Sequence, residues 1–236
     1  MIEVSHVSAG YGGQDVLKDL SFSLPQGENL AILGPNGCGK TTLLRVMAGL
    51  LPCRGDVRVD GRSIVRMKPR ELAAHIGLMS QNMQIPFDYT VEDVVRMGRY
   101  RMRRRGLFEA ENREDGQAVR DALETVGLWE LRNRTANTLS GGQQQRVFLA
   151  RVFAQQPEIV MLDEPTNHLD LSSQIELMQQ LRLYGSQPNR QVIGVFHDLT
   201  LAPMLGGQAI FMREGQILRQ GAFSDIASPS FLRQVY

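Results

Sequence analysis

Gly34-Pro35-Asn36-Gly37-Cys38-Gly39-Lys40-Thr41-Thr42 is the stretch of this 236-residue chain that decides its fold. The apolar run from Asn29 to Leu33 predicts a buried strand before it, and the spacing from Lys40 to Leu51 predicts a helix after it. A glycine-rich loop between a strand and a helix turns bare backbone N–H groups toward one point, which suits a phosphate group. Lys40 can then neutralise the β and γ phosphates of a nucleoside triphosphate, and the Thr41 hydroxyl can ligate Mg²⁺. An ordinary glycine-rich turn is the alternative, and the flanking strand and helix disfavour it.

A second anion-binding pattern lies about a hundred residues downstream, in Leu139-Ser140-Gly141-Gly142-Gln143. A helix is predicted from Gly141 to Ala154, so the serine and the two glycines stand at its start, where backbone N–H groups and the helix dipole attract an anion. One triphosphate does not need two such sites on one chain. We therefore expect one copy of the chain to hold the nucleotide and a second copy to cover it.

Two adjacent carboxylates end a hydrophobic segment, Ile159-Val160-Met161-Leu162-Asp163-Glu164. Asp163, at the tip of the predicted strand, can organise Mg²⁺ through a water molecule. Glu164 points differently and can reach an attacking water as general base, a role that contributes roughly 10²–10⁴ in rate. A solvated acidic turn is the alternative, and the presence of a phosphate loop in the same chain disfavours it.

Four further side chains are candidates for the same site. Gln81 and His197 each follow a predicted strand; the amide could touch Mg²⁺ and the attacking water, and the imidazole could hydrogen-bond the γ-phosphate. Tyr11, in a glycine-rich turn, could stack on adenine. Asp170 could cap the helix predicted to begin at Leu171, lie at a subunit contact, or do both. Taken alone, each of these residues also has a purely structural interpretation.

Composition narrows the class of protein. The 26 Lys and Arg residues balance 25 Asp and Glu residues, so the formal charge of +1 gives no support for a general nucleic-acid binder. A disulfide at Cys38 would obstruct the phosphate loop, which favours a reduced, cytosolic compartment. The N-terminus lacks a signal-peptide pattern, and no apolar run reaches the roughly 20 residues that span a bilayer. A role at a membrane would therefore require docking to other subunits.

Strands alternate with helices along the chain, which predicts an α/β fold with a mostly parallel sheet. Residues 86–140 are charged, arginine-rich and helical in period, and they predict an inserted helical subdomain that ends at the Ser140 motif. We expect residues 1–236 to form a single domain around this insertion.

In this order and at these separations, the motifs resemble those of the ATP-binding cassette (ABC) ATPases. The resemblance covers nearly the whole chain. It implies a P-loop NTPase fold of the ABC type, with a mostly parallel core sheet, an N-terminal antiparallel β subdomain and an inserted α-helical subdomain. It also implies a head-to-tail homodimer in which each ATP, with Mg²⁺, lies between residues 34–42 of one chain and Ser140–Gln143 of the other.

The expected site has three groups of residues. Catalysis is expected from Glu164, His197, Gln81 and Lys40, and metal binding from Thr41, Gln81 and Asp163. Nucleotide contacts are expected from Tyr11, from residues 34–42, from Ser140, Gly141, Gly142 and Gln143, and from Asp170.

A finer resemblance is carried by Thr90–Tyr100, Gln143–Arg146, Asn167–Asp170 and His197–Ala202, which are similar to the ATPase subunits of importers of iron–siderophore complexes, haem and cobalamin. It implies permease subunits in the membrane as partners, a substrate-binding protein as an indirect partner, and a peripheral place on the cytoplasmic face of the inner membrane. No nucleic-acid partner is expected.

Several alternatives stay open at this point. The chain could be the ATPase of an importer for a free metal ion or an oxyanion, or of an exporter. It could also be a soluble ABC ATPase that acts as an ATP-gated clamp on nucleic acid or ribosomes; a phosphate-loop kinase would leave Ser140–Gln143 unexplained. The basic cluster Arg101–Arg105 is either a solvated surface or a contact with a membrane subunit or anionic lipid.

Overall fold

The computed structural model describes residues 1–81, 85, 87–102, 113–167 and 169–236. Its strands are β1 (Ile2–Tyr11), β2 (Gln14–Leu24), β3 (Leu30–Leu33), β4 (Arg54–Val59), β5 (Arg62–Ser63), β6 (Ile76–Met79), β7 (Ile159–Asp163), β8 (Gln191–Val195), β9 (Gln208–Arg213) and β10 (Gln216–Ala222). Its α-helices are α1 (Lys40–Met47), α2 (Pro69–His75), α3 (Val91–Arg96), α4 (Arg113–Thr125), α5 (Gly141–Ala154), α6 (Leu171–Gly185), α7 (Ala202–Leu205), α8 (Phe223–Ile226) and α9 (Pro229–Val235). Across these described ranges, every helix is too short or too polar to cross a bilayer.

The strands form two sheets. The first is antiparallel, in the order β2-β1-β4-β5, and comes from the N-terminal part of the chain. The second has the order β10-β9-β3-β8-β7-β6, and its strands are parallel except for β10, which pairs antiparallel with β9 at one edge. The α/β class, the mostly parallel core sheet and the N-terminal antiparallel layer are therefore confirmed.

Two hydrophobic cores lie on opposite faces of the parallel sheet. The central strand β3 shows this directly, because successive side chains of a strand point to opposite faces. Leu30 and Ile32 pack into the core shared with α1 and the antiparallel sheet, whereas Ala31 and Leu33 pack into the core shared with α5 and α6. With both faces covered, β3 reads as a continuous apolar run, as a central parallel strand does.

Helix α1 is shorter than the sequence suggests. The apolar spacing predicts a helix from Lys40 to Leu51, but the observed helix ends at Met47. Gly49 has a left-handed backbone, with φ of 70°, which ends the helix, and Leu50 beyond it is exposed. The leucines of this segment therefore prolong the apolar pattern past the last helical turn.

Between β6 and α5, the described residues form α3, α4 and short 3₁₀ turns, and we call this part of the chain the helical segment. The side chain of Arg99 anchors it, because that guanidinium is buried and pairs with Asp115 of α4 at 2.7 Å. The bounds 86–140 of the helical subdomain stay a prediction. Of the basic cluster, residues 103–105 lie outside the described part of the chain, as do the side chains of residues 101 and 102.

Trp129, the one tryptophan of the sequence, lies in this helical segment. The guanidinium carbon of Arg120 lies 4.9 Å from the centroid of its indole, and that of Arg132 lies 4.3 Å from it. The indole ring is therefore held by two cation–π contacts.

Candidate functional site

Four loops meet at one edge of the parallel sheet, because the carboxyl ends of parallel strands lie on the same side. The phosphate loop follows β3, Asp163 and Glu164 end or follow β7, and Gln81 and His197 come shortly after β6 and β8. A pocket of about 390 Å³ opens between these loops. Its lining consists of Val16, Asn36, Gly37, Gly39, Lys40, Thr41, Thr42, Gln81, Glu164 and His197.

The phosphate loop has the geometry of an anion cradle. Gly39 is the N-cap of α1 with φ of 106° and no side-chain cap, so the first N–H groups of the helix remain available to an anionic ligand. Gly34 also requires glycine, because a Cβ there would lie 2.2 Å from the Met212 carbonyl oxygen. Lys40 is buried, and its ammonium donates to the carbonyls of Gly34 at 2.8 Å and Pro35 at 3.0 Å.

Thr41 and Asp163 form a pair of oxygen donors beside the pocket. The Thr41 hydroxyl donates to Asp163 Oδ1 at 2.9 Å. Burial raises the pKa of the Asp163 carboxyl, while the hydrogen bond from Thr41 and the cations Arg45 and Lys40 oppose that rise. A hydroxyl and a carboxylate in contact are the ligand types that Mg²⁺ prefers, so these two residues fit a Mg²⁺ ion that also binds phosphate oxygens.

Glu164 is the most closely held carboxylate of the site. Its backbone is left-handed, with φ of 53°, and its side chain is only 10% exposed. Oε1 contacts Nε2 of His197, and Oε2 accepts from the Gln81 amide and from Nδ2 of Asn167, the last at 2.5 Å. A non-glycine residue in this conformation is uncommon and often found at functional sites.

Sequence reasoning missed two residues of this arrangement. Asn167 contacts Glu164 directly. It lies three residues after Glu164, a separation typical of a turn, and this was the signal in the sequence that could have identified it. Arg45 bridges the site toward Tyr11, because its Nη1 lies 3.3 Å from the Tyr11 hydroxyl. Arg45 could not have been identified from the sequence, because a basic residue in the last turn of a helix is common and does not by itself indicate a binding site.

The remaining candidates do not join the pocket within the described part of this chain. Tyr11 is exposed and contacts Arg45, and Cys38 is buried, which raises the pKa of its thiol. Ser140 and Gln143 form a reciprocal capping box at the start of α5, as the predicted helix start requires. Asp170 caps α6 by accepting from the Ser173 N–H at 2.9 Å, which lowers the pKa of that carboxyl.

Known sequences match the chain over nearly its full length. The model of the ABC transporter family matches residues 17–167. Ferric enterobactin transport ATP-binding protein FepC of Escherichia coli is 39% identical over 231 residues, which are 98% of this chain and 84% of that protein. Iron(3+)-hydroxamate import ATP-binding protein FhuC of Bacillus subtilis is 33% identical over 100% of this chain and 87% of its own length. Hemin import ATP-binding protein HmuV of Rhodopseudomonas palustris is 35% identical over 100% of this chain and 90% of its own.

Solved structures agree with these matches. An inward-facing metal-chelate type ABC transporter superimposes with a TM-score of 0.85 at 28% identity, over 99% of this chain and 87% of that one. The dimeric bacterial ABC transporter cassette MJ0796 superimposes with a TM-score of 0.81 at 29% identity, over 94% of this chain and 98% of that one. The motifs, the two sheets and these relatives agree, and the chain belongs to the ABC transporter family as one of its ATP-binding cassette ATPases.

Proposed function

We propose that this chain is the ATP-hydrolysing subunit of an importer that takes up a metal chelate of the iron–siderophore or haem type. The proposal rests on one joint observation: a phosphate-loop pocket with a closely held glutamate lies in a chain whose relatives are named for ferric enterobactin, iron(3+)-hydroxamate and hemin transport. These relatives favour an importer over the clamp and kinase interpretations. A transport assay would distinguish this proposal from an importer of cobalamin, of a free metal ion or of an oxyanion.

The proposed chemistry assigns one task to each group of the pocket. Lys40 and the backbone N–H groups of the phosphate loop hold the β and γ phosphates, and Tyr11 stacks on adenine. Glu164 accepts a proton from the attacking water, and His197 hydrogen-bonds the γ-phosphate as charge grows on it.

Mg²⁺ would be held by Thr41, Asp163 and Gln81. When bound, the ion neutralises charge on the phosphate oxygens. The contact between Thr41 and Asp163 supports this assignment, because one hydroxyl and one carboxylate oxygen already lie 2.9 Å apart. Gln81 would exchange its hydrogen bond to Glu164 for a contact with the ion, which leaves Glu164 less constrained.

The partners follow from the parts of the chain outside the pocket. Ser140–Gln143 stand at the start of α5 and are not among the described residues that line the pocket, which supports a second copy that brings its own Ser140 motif, with Asp170 at the contact. Permease subunits in the membrane would receive the motion of closure, and a substrate-binding protein would deliver the chelate to them. The chain itself would lie on the cytoplasmic face of the membrane.

The first test is the oligomeric state of Glu164→Gln with Mg-ATP, measured by light scattering. The substitution keeps the shape of the side chain and removes the base, so we expect an ATP-dependent dimer that does not turn over. Glu130→Gln, at an exposed position, is the matched control and should hydrolyse ATP normally. A Glu164→Gln chain that stays monomeric with ATP bound, both alone and with its permease, would refute the two-copy site.

The second test is transport. The chain is reconstituted with its permease in vesicles, and uptake of ferric enterobactin and of haemin is followed with ATP on the side of the cassette. The proposal is supported if the wild-type complex takes up one of these chelates and the complex with Glu164→Gln does not. ATP hydrolysis without uptake of either probe argues against a chelate importer.

A further inference from the structure

The hydrogen bonds around Glu164 are unequally divided between its two carboxylate oxygens. Among the described residues, Oε2 accepts from two amide groups, those of Gln81 and Asn167, whereas Oε1 contacts His197 alone. A carboxylate oxygen offers two lone-pair directions, so with all three contacts in place both directions of Oε2 are occupied and Oε1 keeps one open. When Gln81 and His197 turn to their ligands, Asn167 still occupies one direction of Oε2, and both directions of Oε1 are open. Oε1 is therefore the oxygen that can accept a proton from water.

Asn167 differs from the other two partners because it belongs to the same turn as Glu164. Its backbone N–H donates to the Glu164 carbonyl at 3.3 Å. Gln81 and His197 come from the ends of other strands and are the groups proposed to engage Mg²⁺ and the γ-phosphate. When these two turn toward their ligands, the amide of Asn167 stays on Oε2.

The turn itself is fixed from two sides. The Gln145 amide of α5 donates to the Pro165 carbonyl at 2.7 Å, and the Gln174 amide of α6 donates to the Thr166 carbonyl at 3.2 Å. Thr166 is buried. The backbone that carries Asn167 is thus held by the helix that begins at the Ser140 motif and by the helix that Asp170 caps.

We propose that Asn167 is the positioning residue of the catalytic base: its amide fixes Oε2 of Glu164, so that Oε1 faces the attacking water. Asn167 acts through Glu164 and does not touch the reacting atoms. The inference rests on the proposed function, in which Glu164 is the base. An error of about 1 Å in the position of a reacting group can cost roughly 10²-fold in rate, which is the scale of the expected effect.

The test compares three variants of the full chain by steady-state phosphate release with Mg-ATP. Asn167→Leu keeps the volume and removes the donor, so kcat should fall by about 10- to 100-fold while KM for ATP is unchanged. Asn167→Ser keeps a shorter donor and should recover part of that loss. Asn167→Asp keeps the shape but faces Glu164 with a like charge, so its kcat should be the lowest. Asn133→Leu, at an exposed position of the described chain, is the control.

A second measurement separates positioning from folding. In the Glu164→Gln background, Asn167→Leu should cause no further loss of the residual turnover, because the group that it positions is gone. A wild-type kcat in Asn167→Leu would overturn the proposal. So would an equal loss in the Leu and Ser variants together with weaker ATP binding, which would indicate a structural role. If Glu164→Gln hydrolyses ATP as fast as the wild type, the proposed base is wrong, whatever the Asn167 variants do.

Discussion

Replacing Arg99 by leucine should destabilise the helical segment severely. The guanidinium is 6% exposed and pairs with Asp115, itself 16% exposed, at 2.7 Å. Its Nη1 also donates to the Ala154 carbonyl at 2.9 Å, at the end of α5. Arg99→Leu would leave a largely buried carboxylate without its cation and a buried carbonyl without its donor.

The size of the loss follows from these contacts. Removing one partner of a buried ion pair costs about 3–5 kcal/mol. We take the lower end, about 3 kcal/mol, because Asp115 keeps some access to water. For a chain of this length each kcal/mol moves Tm by roughly 2–4 °C, so the variant should melt about 6–12 °C below the wild type.

The assay is thermal unfolding followed by circular dichroism, with two further variants. The double variant Arg99→Leu/Asp115→Leu should recover most of the loss, because apolar replacement of both buried partners is often neutral or stabilising. Arg54→Leu breaks a pair with Asp15 whose side chains are 73% and 40% exposed, and it should cost less than about 1 kcal/mol. If Arg99→Leu melts no lower than Arg54→Leu, or if the double variant is no better than the single one, the buried-pair reasoning is refuted.

Three further changes test other parts of the molecule. Gly98→Ala would place a Cβ 2.2 Å from the Arg151 carbonyl oxygen, so α5 and the segment before α4 must move apart; we expect a loss of about 1–3 kcal/mol by chemical denaturation, and an unchanged midpoint would contradict this. Ser140→Ala removes the cap of α5 and should cost about 1 kcal/mol in the same assay, while ATP still binds to the monomer; loss of that binding would place Ser140 in the pocket of its own chain. Burial raises the pKa of Tyr184 to about 12, so folding stability should fall as pH rises from 10 toward 12, where only the unfolded state loses the proton. Tyr184→Phe should lose less stability over that range, as measured by unfolding at fixed pH, and an identical alkaline loss in both proteins would contradict the assignment.

Local chemistry explains which parts of the fold could be predicted from sequence. The start of α5 was predicted at Gly141 because a capping residue and the helix after it are neighbours in the chain. The strand before the phosphate loop was predictable because β3 is buried on both faces and is apolar throughout. The antiparallel pairing of β1 with both β2 and β4 depends on contacts between distant segments, and only the family resemblance indicated that layer.

The same reasoning explains what the sequence did not reveal at the site. Gln81, Glu164 and His197 were selected because each follows a predicted strand, and the structure places Gln81 and His197 against the carboxylate of Glu164. Asn167 was not selected, because asparagine is common in turns, where its side chain often hydrogen-bonds the nearby backbone. Nothing in the sequence indicated that Arg99 is buried, because its burial depends on α4 and α5, which approach it only in the folded chain.

Trp129 gives the chain an intrinsic fluorophore in the helical segment, which we expect to move when two copies close on ATP. Because Trp129 is the one tryptophan of the sequence, tryptophan emission reports on this position without labelling. Two guanidinium groups, those of Arg120 and Arg132, contact the indole, and a change in either contact alters the polarity around the ring. Stopped-flow emission after mixing with Mg-ATP would therefore time the rearrangement of the helical segment separately from phosphate release.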